Sequence, residues 1–258
     1  MNELTDRAVI ALTGPEARAF LQGLITNDVD KVAPERPVYA ALLTPQGKIL
    51  FDFLIFEGED GLWLDCPRGT REALAKRLSM YKLRAKVEIA PRDDLGVFIG
   101  EGPADPRLAA LGLRFLAPKR AALPGDDAYL ARRLDLGVPE GDDFGSERMF
   151  ALDAGLDELH GVAFDKGCYV GQELTARMKH RGTARKRLLA IATKNGAPLP
   201  ARDTSVTANG QELGTLASAY GARGFALIRL DRLAECAGAP LEAGGIAVDV
   251  TRQDWLSA

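Results

Sequence analysis

The chain has 258 residues, of which 47% are hydrophobic and 27% charged, and its net charge at pH 7 is −3. This is ordinary globular composition, and the length allows more than one folding unit. The lack of a strong basic field argues against a nucleic-acid partner. No stretch approaches the length of a membrane span, and no basic region followed by an apolar run opens the chain, so we expect no membrane partner.

The first ninety residues alternate strand-like and helical patterns. An amphipathic helix is predicted after Pro15, with apolar side chains at helical spacing to about residue 25, and a second helix is predicted after the N-cap candidate Thr70. Strands are predicted at residues 7–12, 38–43, 49–56, 61–66 and 86–90. This order is typical of an α+β unit with helices on one face. Asp52 is the one acid in the third strand, and either points outward or lies in a pocket.

The second half changes texture near residue 186. Before that point we predict a strand at 94–100, a short helix leading into a strand near 113–116, and a helix at 128–134. From Lys186 onward, short β-like runs are separated by Gly, Pro and Asn, which is typical of a small barrel or sandwich. The domain boundary is therefore placed near 183–186, giving units at 1–184 and 185–258.

The cysteines bear on compartment and on metal binding. Cys66, Cys168 and Cys236 are far apart, with neither a CxxC pair nor a Cys/His ligand spacing, so no metal site is predicted. An odd, sparse set favours a reducing compartment over a disulfide framework. We therefore expect a cytoplasmic protein.

The segment KGCYVGQE at residues 166–173 is the strongest candidate for chemistry. A thiolate is stabilised by a nearby ammonium or by a helix N-terminus, which Lys166 and the helical run beginning at Gln172 can supply to Cys168. Gly167 and Gly171 would allow a tight turn or a close approach to a ligand. The alternative is a buried, inert cysteine in a glycine-rich turn.

KGCYVGQELTAR closely resembles the signature of the YgfZ-type folate-binding proteins, which include mitochondrial relatives that act late in iron–sulfur cluster assembly. FLQGLITNDV and YAALLTPQGKILFDFLIF resemble the start of the glycine-cleavage T-protein (GcvT, aminomethyltransferase) superfamily. The resemblance implies an α+β fold of three lobes around a central opening, with ferredoxin-like α/β lobes and a C-terminal β-barrel. It also implies a pocket for tetrahydrofolate or a one-carbon derivative.

The resemblance also implies roles for individual residues. Cys168 would be the reactive or partner-facing thiol, Lys166 would stabilise its thiolate, and Tyr169 would pack or hydrogen-bond beside it. The remaining signature residues would support the motif: Gly167, Gly171, Gln172, Glu173 and Arg177. Folate contacts would come from Asn27, Asp28, Asp52, Cys66 and Asp153. From the residues alone, Asn27 and Asp28 are better explained as a helix cap and turn.

Departures from the aminomethyltransferases bear on which reaction is expected. Those enzymes carry two adjacent acids where this chain has Phe51 and Asp52. They usually carry an asparagine where Cys66 aligns, and their counterpart of KGCYVGQE lacks the cysteine. Related folate-binding proteins often have a glutamate in place of Asp153. Together these differences argue against glycine-cleavage chemistry.

Three functions remain open from the sequence. The first is a folate-dependent factor for assembly or repair of [4Fe–4S] proteins, with iron–sulfur carriers (A-type carriers among them) or client proteins as partners. The second is a tetrahydrofolate-dependent one-carbon transferase using Asp52. The third is a non-catalytic folate-binding adaptor. We expect a monomer. The basic run from Arg177 to Arg187 is a candidate for the folate tail or an acidic partner, or is a solvated face.

Overall fold

The computed structural model describes residues 2–119, 127–182 and 185–257, with the backbone alone at residue 181. Fourteen strands and five α-helices lie in these ranges. The strands are β1 (Asn2–Glu3), β2 (Arg7–Thr13), β3 (Val38–Leu43), β4 (Ile49–Gly58), β5 (Gly61–Pro67), β6 (Glu88–Arg92), β7 (Leu95–Ala104), β8 (Leu113–Pro118), β9 (Lys186–Thr193), β10 (Ser205–Ala208), β11 (Gln211–Tyr220), β12 (Arg223–Arg229), β13 (Leu241–Ala243) and β14 (Ile246–Thr251). The helices are α1 (Ala17–Gln22), α2 (Arg71–Lys82), α3 (Asp127–Asp135), α4 (Gln172–Arg181) and α5 (Leu230–Glu235).

The first lobe is a five-stranded antiparallel sheet in the order β3-β4-β5-β2-β6. Its strands β2 and β3 are buried on both faces, so they read as nearly continuous apolar runs rather than as clean alternation. One face packs against α1 and α2 through Leu21, Leu74 and Leu78. The opposite face contributes Val9 and Tyr39 to a second core that is shared with the rest of the chain.

A three-stranded antiparallel sheet, β1-β7-β8, forms the second lobe. Val97 of β7 and Leu111, in the turn before β8, lie in the shared core together with Tyr129 of α3. The predicted short helix before β8 is a single 3-10 turn at Ala109–Leu111. Gly112, at φ +100°, then redirects the chain into β8, and that reversal leaves no room for a longer helix.

The third lobe is a closed six-stranded barrel in the order β10-β11-β12-β9-β14-β13. Its interior is filled by aliphatic side chains, among them Ile191, Val206 and Ile228. The predicted α+β class with a C-terminal barrel is confirmed. Sequence reasoning missed two small elements of this lobe, β13 and α5, because each is shorter than the window over which a period can be recognised.

The C-terminal segment ties the barrel to the rest of the molecule. Gln253 Nε2 donates to the carbonyls of Gly137 (3.1 Å) and Leu188 (3.1 Å). Trp255 Nε1 donates to Leu136 O at 2.9 Å. The chain after β14 therefore connects the barrel to the residues that follow α3.

Two helix ends differ from the sequence prediction. α1 ends at Gln22 rather than near residues 26–28 as predicted, although Leu24 and Ile25 continue into the same core. Thr70 makes no side-chain cap to α2 and donates its hydroxyl to Pro67 O instead, because a 3-10 turn precedes the helix. None of the helices in the described part of the chain is long and apolar enough to span a membrane.

Candidate functional site

The KGCYVGQE segment begins with a lysine that is fully engaged with backbone. Lys166 Nζ donates to the carbonyls of Gln22 (2.7 Å), Ile25 (2.8 Å) and Asn27 (2.8 Å). It also lies 5.2 Å from the centre of the Tyr169 ring. An ammonium has three N–H donors, and the carbonyls take all three. All three N–H groups of Lys166 are therefore directed to backbone carbonyls. Stabilisation of the Cys168 thiolate by the charge of Lys166 stays a prediction.

Burial and neighbouring acids act in opposite directions on Lys166. Burial lowers its pKa to about 8, while Asp28 and Asp30 oppose that change. The group is therefore still largely protonated at neutral pH, and the three carbonyls are held by a cation.

Cys168 is exposed, between a half-buried lysine and a buried tyrosine. Tyr169 belongs to the shared core, and burial raises the pKa of its hydroxyl to about 12. The thiol of Cys168 thus sits on a short arch, residues 166–169, whose two ends are fixed in the protein. The alternative of a buried, inert cysteine does not describe this residue.

The two glycines of the segment differ in what they do. A Cβ added to Gly167 would have no atom within 4 Å, so the fold does not require a glycine there. Gly171 has φ +82°, and a Cβ on it would lie 2.5 Å from Thr44 O. Gly171 precedes the first residue of α4, Gln172, whose N–H bonds to Tyr169 O (3.3 Å). Glu173 and Arg177 lie on the exposed part of α4.

A cavity of about 500 Å³ opens between the first two lobes and the 157–162 segment. Asn27 and Tyr39 form one side, Asp105 another, and Asp157 and His160 a third. Lys31 and Arg36 lie among the lining residues as well, half-buried and exposed respectively. The cavity thus combines carboxylates in its wall with two cationic side chains.

The two acids at residues 157 and 158 interact with each other and with neighbouring cations. Asp157 Oδ2 pairs with Lys179 Nζ at 2.9 Å, and Arg187 pairs with Glu158. Burial raises the pKa of Glu158, and so does the hydrogen bond that its carboxyl donates to Asp157. Burial also acts to raise the pKa of Asp157, but the bond accepted from Glu158 and the pairing with Lys179 outweigh it and lower that pKa. Asp157 therefore remains a carboxylate in the cavity wall.

Asn27 and Asp28 stabilise the loop after α1. The Asn27 amide donates to Tyr39 O (2.7 Å) and His160 O (2.6 Å), and its carbonyl oxygen accepts from Asp28 N (2.8 Å). Asp28 caps the following 3-10 turn, accepting from Asp30 N, and also accepts from Gln22 Nε2. Burial is outweighed by these bonds, and the pKa of Asp28 is lowered. Of this pair, Asn27 lines the cavity.

The other predicted folate contacts are not among the described residues that line the cavity. Asp52 lies behind the wall, where it accepts from Tyr39 Oη (3.2 Å) and Gly141 N (2.9 Å). Cys66 is buried in the core under α2, and burial raises the pKa of its thiol to about 12. Asp153 is also buried, and burial raises its pKa to about 6 against Lys186 and Arg187.

Sequence reasoning missed a set of buried charges at the junction of the lobes. We call this set the ionic network. It comprises Arg7, Asp52, Asp65, Asp105, Arg107, Arg114, Arg133, Glu140 and Asp143.

Arginines of the ionic network bridge acids from different elements. Arg107 Nη1 lies 2.5 Å from Glu140 Oε2, and Arg7 Nε lies 2.7 Å from Asp65 Oδ1. Burial alone would raise the pKa of Glu140, but Arg107 and Arg133 hold it well below its usual range. A lone charge inside an apolar strand was the signal in the sequence that could have found this network. Asp65 shows the same signal, but only Asp52 was noticed.

The ionic network reaches the barrel as well. Asp143 Oδ2 pairs with Arg133 Nη1 at 2.5 Å, and its Oδ1 accepts from Ser218 (2.5 Å) and Tyr220 (2.9 Å) of β11. All three lobes therefore contribute to one polar junction beside the cavity.

No cluster of three or more His, Cys, Asp or Glu side chains in the described ranges could hold a metal ion. His160 lines the cavity with φ +59°, and His180 is exposed on α4.

Comparison with known proteins shows which family this chain belongs to. The mouse mitochondrial iron–sulfur cluster assembly factor IBA57 is 34% identical over 98% of this chain and 84% of its own length. The human protein is 31% identical over the same shares, and the homologue of the fungus Coccidioides immitis is 32% identical over 90% of this chain and 72% of its own. The chain belongs to the IBA57 family. The predicted family resemblance is thereby confirmed.

Two further comparisons concern the fold. Residues 185–258 match the family model of the C-terminal beta-barrel domain of CAF17. The crystal structure of the glycine cleavage system aminomethyltransferase T from Bartonella henselae superposes with a TM-score of 0.72 at 16% identity, over 98% of this chain and 85% of that one. At that identity the likeness shows a GcvT-like fold alone.

The IBA57 comparison contradicts the predicted localisation. The relatives are named as mitochondrial proteins, which points to mitochondria and not to the cytoplasm. The prediction depended on a sparse set of cysteines and an unremarkable N-terminal pattern. Neither feature separates one reducing compartment from another, so the inference from composition was wrong.

Proposed function

We propose that this chain acts in the assembly or repair of [4Fe–4S] proteins and presents Cys168 to iron–sulfur carriers or client proteins. The observation that carries the proposal is the position of Cys168. Of the three cysteines, Cys66 is buried, Cys236 is partly exposed in the barrel region, and Cys168 is exposed on the arch between Lys166 and Tyr169. Membership of the IBA57 family, whose named members are iron–sulfur cluster assembly factors, supports it.

The cavity is the proposed binding site for tetrahydrofolate or a one-carbon derivative. The chemistry of its lining fits this ligand. Asp157 offers a carboxylate to the N–H donors of a pterin ring, and Lys31 and Arg36 offer cations to the acidic tail. A bound reduced folate would supply a one-carbon group. The chain's own residues bind and orient the ligand.

Two other functions remain as alternatives to be tested. A one-carbon transferase would need Asp52 at the ligand, but Asp52 lies behind Tyr39 and is hydrogen-bonded to it. A non-catalytic adaptor would use the same exposed Cys168 for partner binding alone. In that case Cys168→Ala would abolish partner binding while purified protein shows no folate-dependent chemistry.

The test of the proposal is complementation in cells that lack the native gene. Cys168→Ala is expected to lose most of the rescue of [4Fe–4S] enzyme activities, and its melting temperature should stay unchanged because the side chain is exposed. Cys236→Ala is the matched control and should rescue fully. Full rescue by Cys168→Ala would remove the thiol from the mechanism.

Folate binding is tested separately with 5-formyltetrahydrofolate. A ligand that binds the native state raises the melting temperature with concentration. A flat titration would remove the cavity from the proposed function and leave the role of Cys168 standing.

A further inference from the structure

Lys166 joins the thiol-bearing arch to one particular stretch of chain. Its three hydrogen bonds end on Gln22, the last residue of α1, and on Ile25 and Asn27 in the turn that follows. Three charge-assisted bonds from one ammonium hold that turn more firmly than a single contact could. The position of Lys166 is therefore linked to the position of the turn.

The same turn supplies a wall of the cavity. Asn27 lines the cavity with its side chain, whose amide donates to the carbonyls of Tyr39 and His160. Tyr39 and His160 are lining residues themselves. One residue thus makes contact in two directions, with its side chain holding the cavity wall and its carbonyl held by Lys166.

Apart from the bonds of Lys166, the arch has little packing at its Lys166 end. Gly167 separates Lys166 from Cys168, and no atom lies within 4 Å of the position where a Cβ on Gly167 would be. On the other side Tyr169 is buried, with its ring beneath the Lys166 ammonium. A movement of the turn at Asn27 would reach Cys168 through Lys166 and meet little resistance from packing at Gly167.

We propose that Lys166 is a positioning residue that couples occupancy of the cavity to the accessibility of the Cys168 thiol. The inference rests on the proposed function, because it takes a reduced folate as the ligand of the cavity. Binding that fixes or displaces the Asn27 wall changes the arch through the lysine. By thermodynamic linkage, a partner bound at Cys168 changes the affinity of the cavity by the same factor.

The experiment measures the rate at which DTNB modifies Cys168, with and without saturating 5-formyltetrahydrofolate. Cys236→Ser serves as the background, so that Cys168 gives the fast signal while Cys66 is buried. The ligand is expected to change the rate constant about fivefold or more, the lower end of typical allosteric couplings. In Cys236→Ser with Lys166→Met, the ligand should still raise the melting temperature, but the rate change should disappear.

Two further measurements separate positioning from thiolate stabilisation. If Lys166 stabilised the thiolate, Lys166→Met would move the midpoint of the alkylation-rate profile with iodoacetamide to higher pH. Positioning predicts an unchanged midpoint. Lys166→Arg, which keeps a charged donor, should retain part of the coupling, and it replaces Lys166→Met if that variant does not fold.

The outcomes are distinct. Ligand-dependent stabilisation without any change in the Cys168 rate overturns the coupling and leaves the folate site intact. If the ligand still changes the DTNB rate in Lys166→Met, the role of Lys166 is overturned. It is also overturned if a folded Lys166→Arg shows no ligand-dependent rate change and a shifted midpoint of the alkylation-rate profile. No stabilisation by 5-formyltetrahydrofolate overturns the coupling together with the proposed folate site.

Discussion

Gly171 and Gly47 pack backbone against backbone where α4 begins. A Cβ on Gly171 would lie 3.1 Å from Gly47 Cα, and a Cβ on Gly47 would lie 3.3 Å from Gly171 O. Both residues have positive φ, +82° and +77°. The turn between β3 and β4 therefore fits against the start of α4 only if neither residue has a side chain, which fixes the helix behind Cys168.

This contact makes a clear prediction for the two motif glycines. Gly171→Ala combines a left-handed backbone with a clash against Thr44 O, and should lower the free energy of unfolding by on the order of 2 kcal/mol. Gly167→Ala, with open space at the Cβ position, should change it by less than about 0.5 kcal/mol. Urea unfolding of both variants checks this. Equal losses would contradict the assigned packing.

Asp52 predicts a particular pH dependence of stability. Burial raises its pKa from 3.8 to about 6, and Glu140 acts in the same direction against Arg7. Between about pH 4 and pH 6 the native state keeps a proton that the unfolded chain releases, so the free energy of unfolding falls as the pH rises through this window. The whole change corresponds to about 3 kcal/mol at most.

Asp52→Asn removes that titration. Its free energy of unfolding should vary less between about pH 4 and pH 7 than that of the parent protein, and at neutral pH it should lack the cost of the buried charge. Asp153→Asn is the matched comparison, because burial also raises the pKa of Asp153 to about 6. A profile for Asp52→Asn that coincides with the parent profile would contradict the prediction.

Arg107 is predicted to be the most sensitive member of the ionic network. It is bonded to Asp105 and Glu140, both buried, and Arg107→Met would leave these acids without their nearest cation. Breaking a buried pair in this way costs about 3–5 kcal/mol. Arg229→Met, which removes an exposed ion pair with Asp231, is the control and should unfold like the parent protein. Comparable behaviour of the two variants in chemical denaturation would refute the buried network.

Trp255 is predicted to hold the barrel against the segments around Leu136 and Gly155. Its indole N–H donates to Leu136 O, and its ring fits so closely against Gly155 that a Cβ there would lie 2.8 Å away. Trp255→Ala should lower the free energy of unfolding by about 3 kcal/mol. Trp255→Phe, which keeps most of the packing and loses the hydrogen bond, should cost about 1 kcal/mol. The ranking fails if the phenylalanine variant is as unstable as the alanine variant.

Local pattern was sufficient for most of the elements. The strand predicted at residues 38–43 is β3 residue for residue, because an apolar run between turn residues depends only on near neighbours. The KGCYVGQE segment likewise indicated the family from its residues alone.

Tertiary structure alone decided what each chemical group does. Lys166 is two residues from Cys168 in sequence, yet its ammonium is bonded to carbonyls roughly 140 positions earlier, while Asp52 and Cys66 are turned away from the cavity. The ionic network also joins residues from distant elements. Sequence determines which donors and acceptors exist and how neighbouring residues repeat. Which of them meet depends on how three lobes close on one another, and that is set by long-range packing that no local period records.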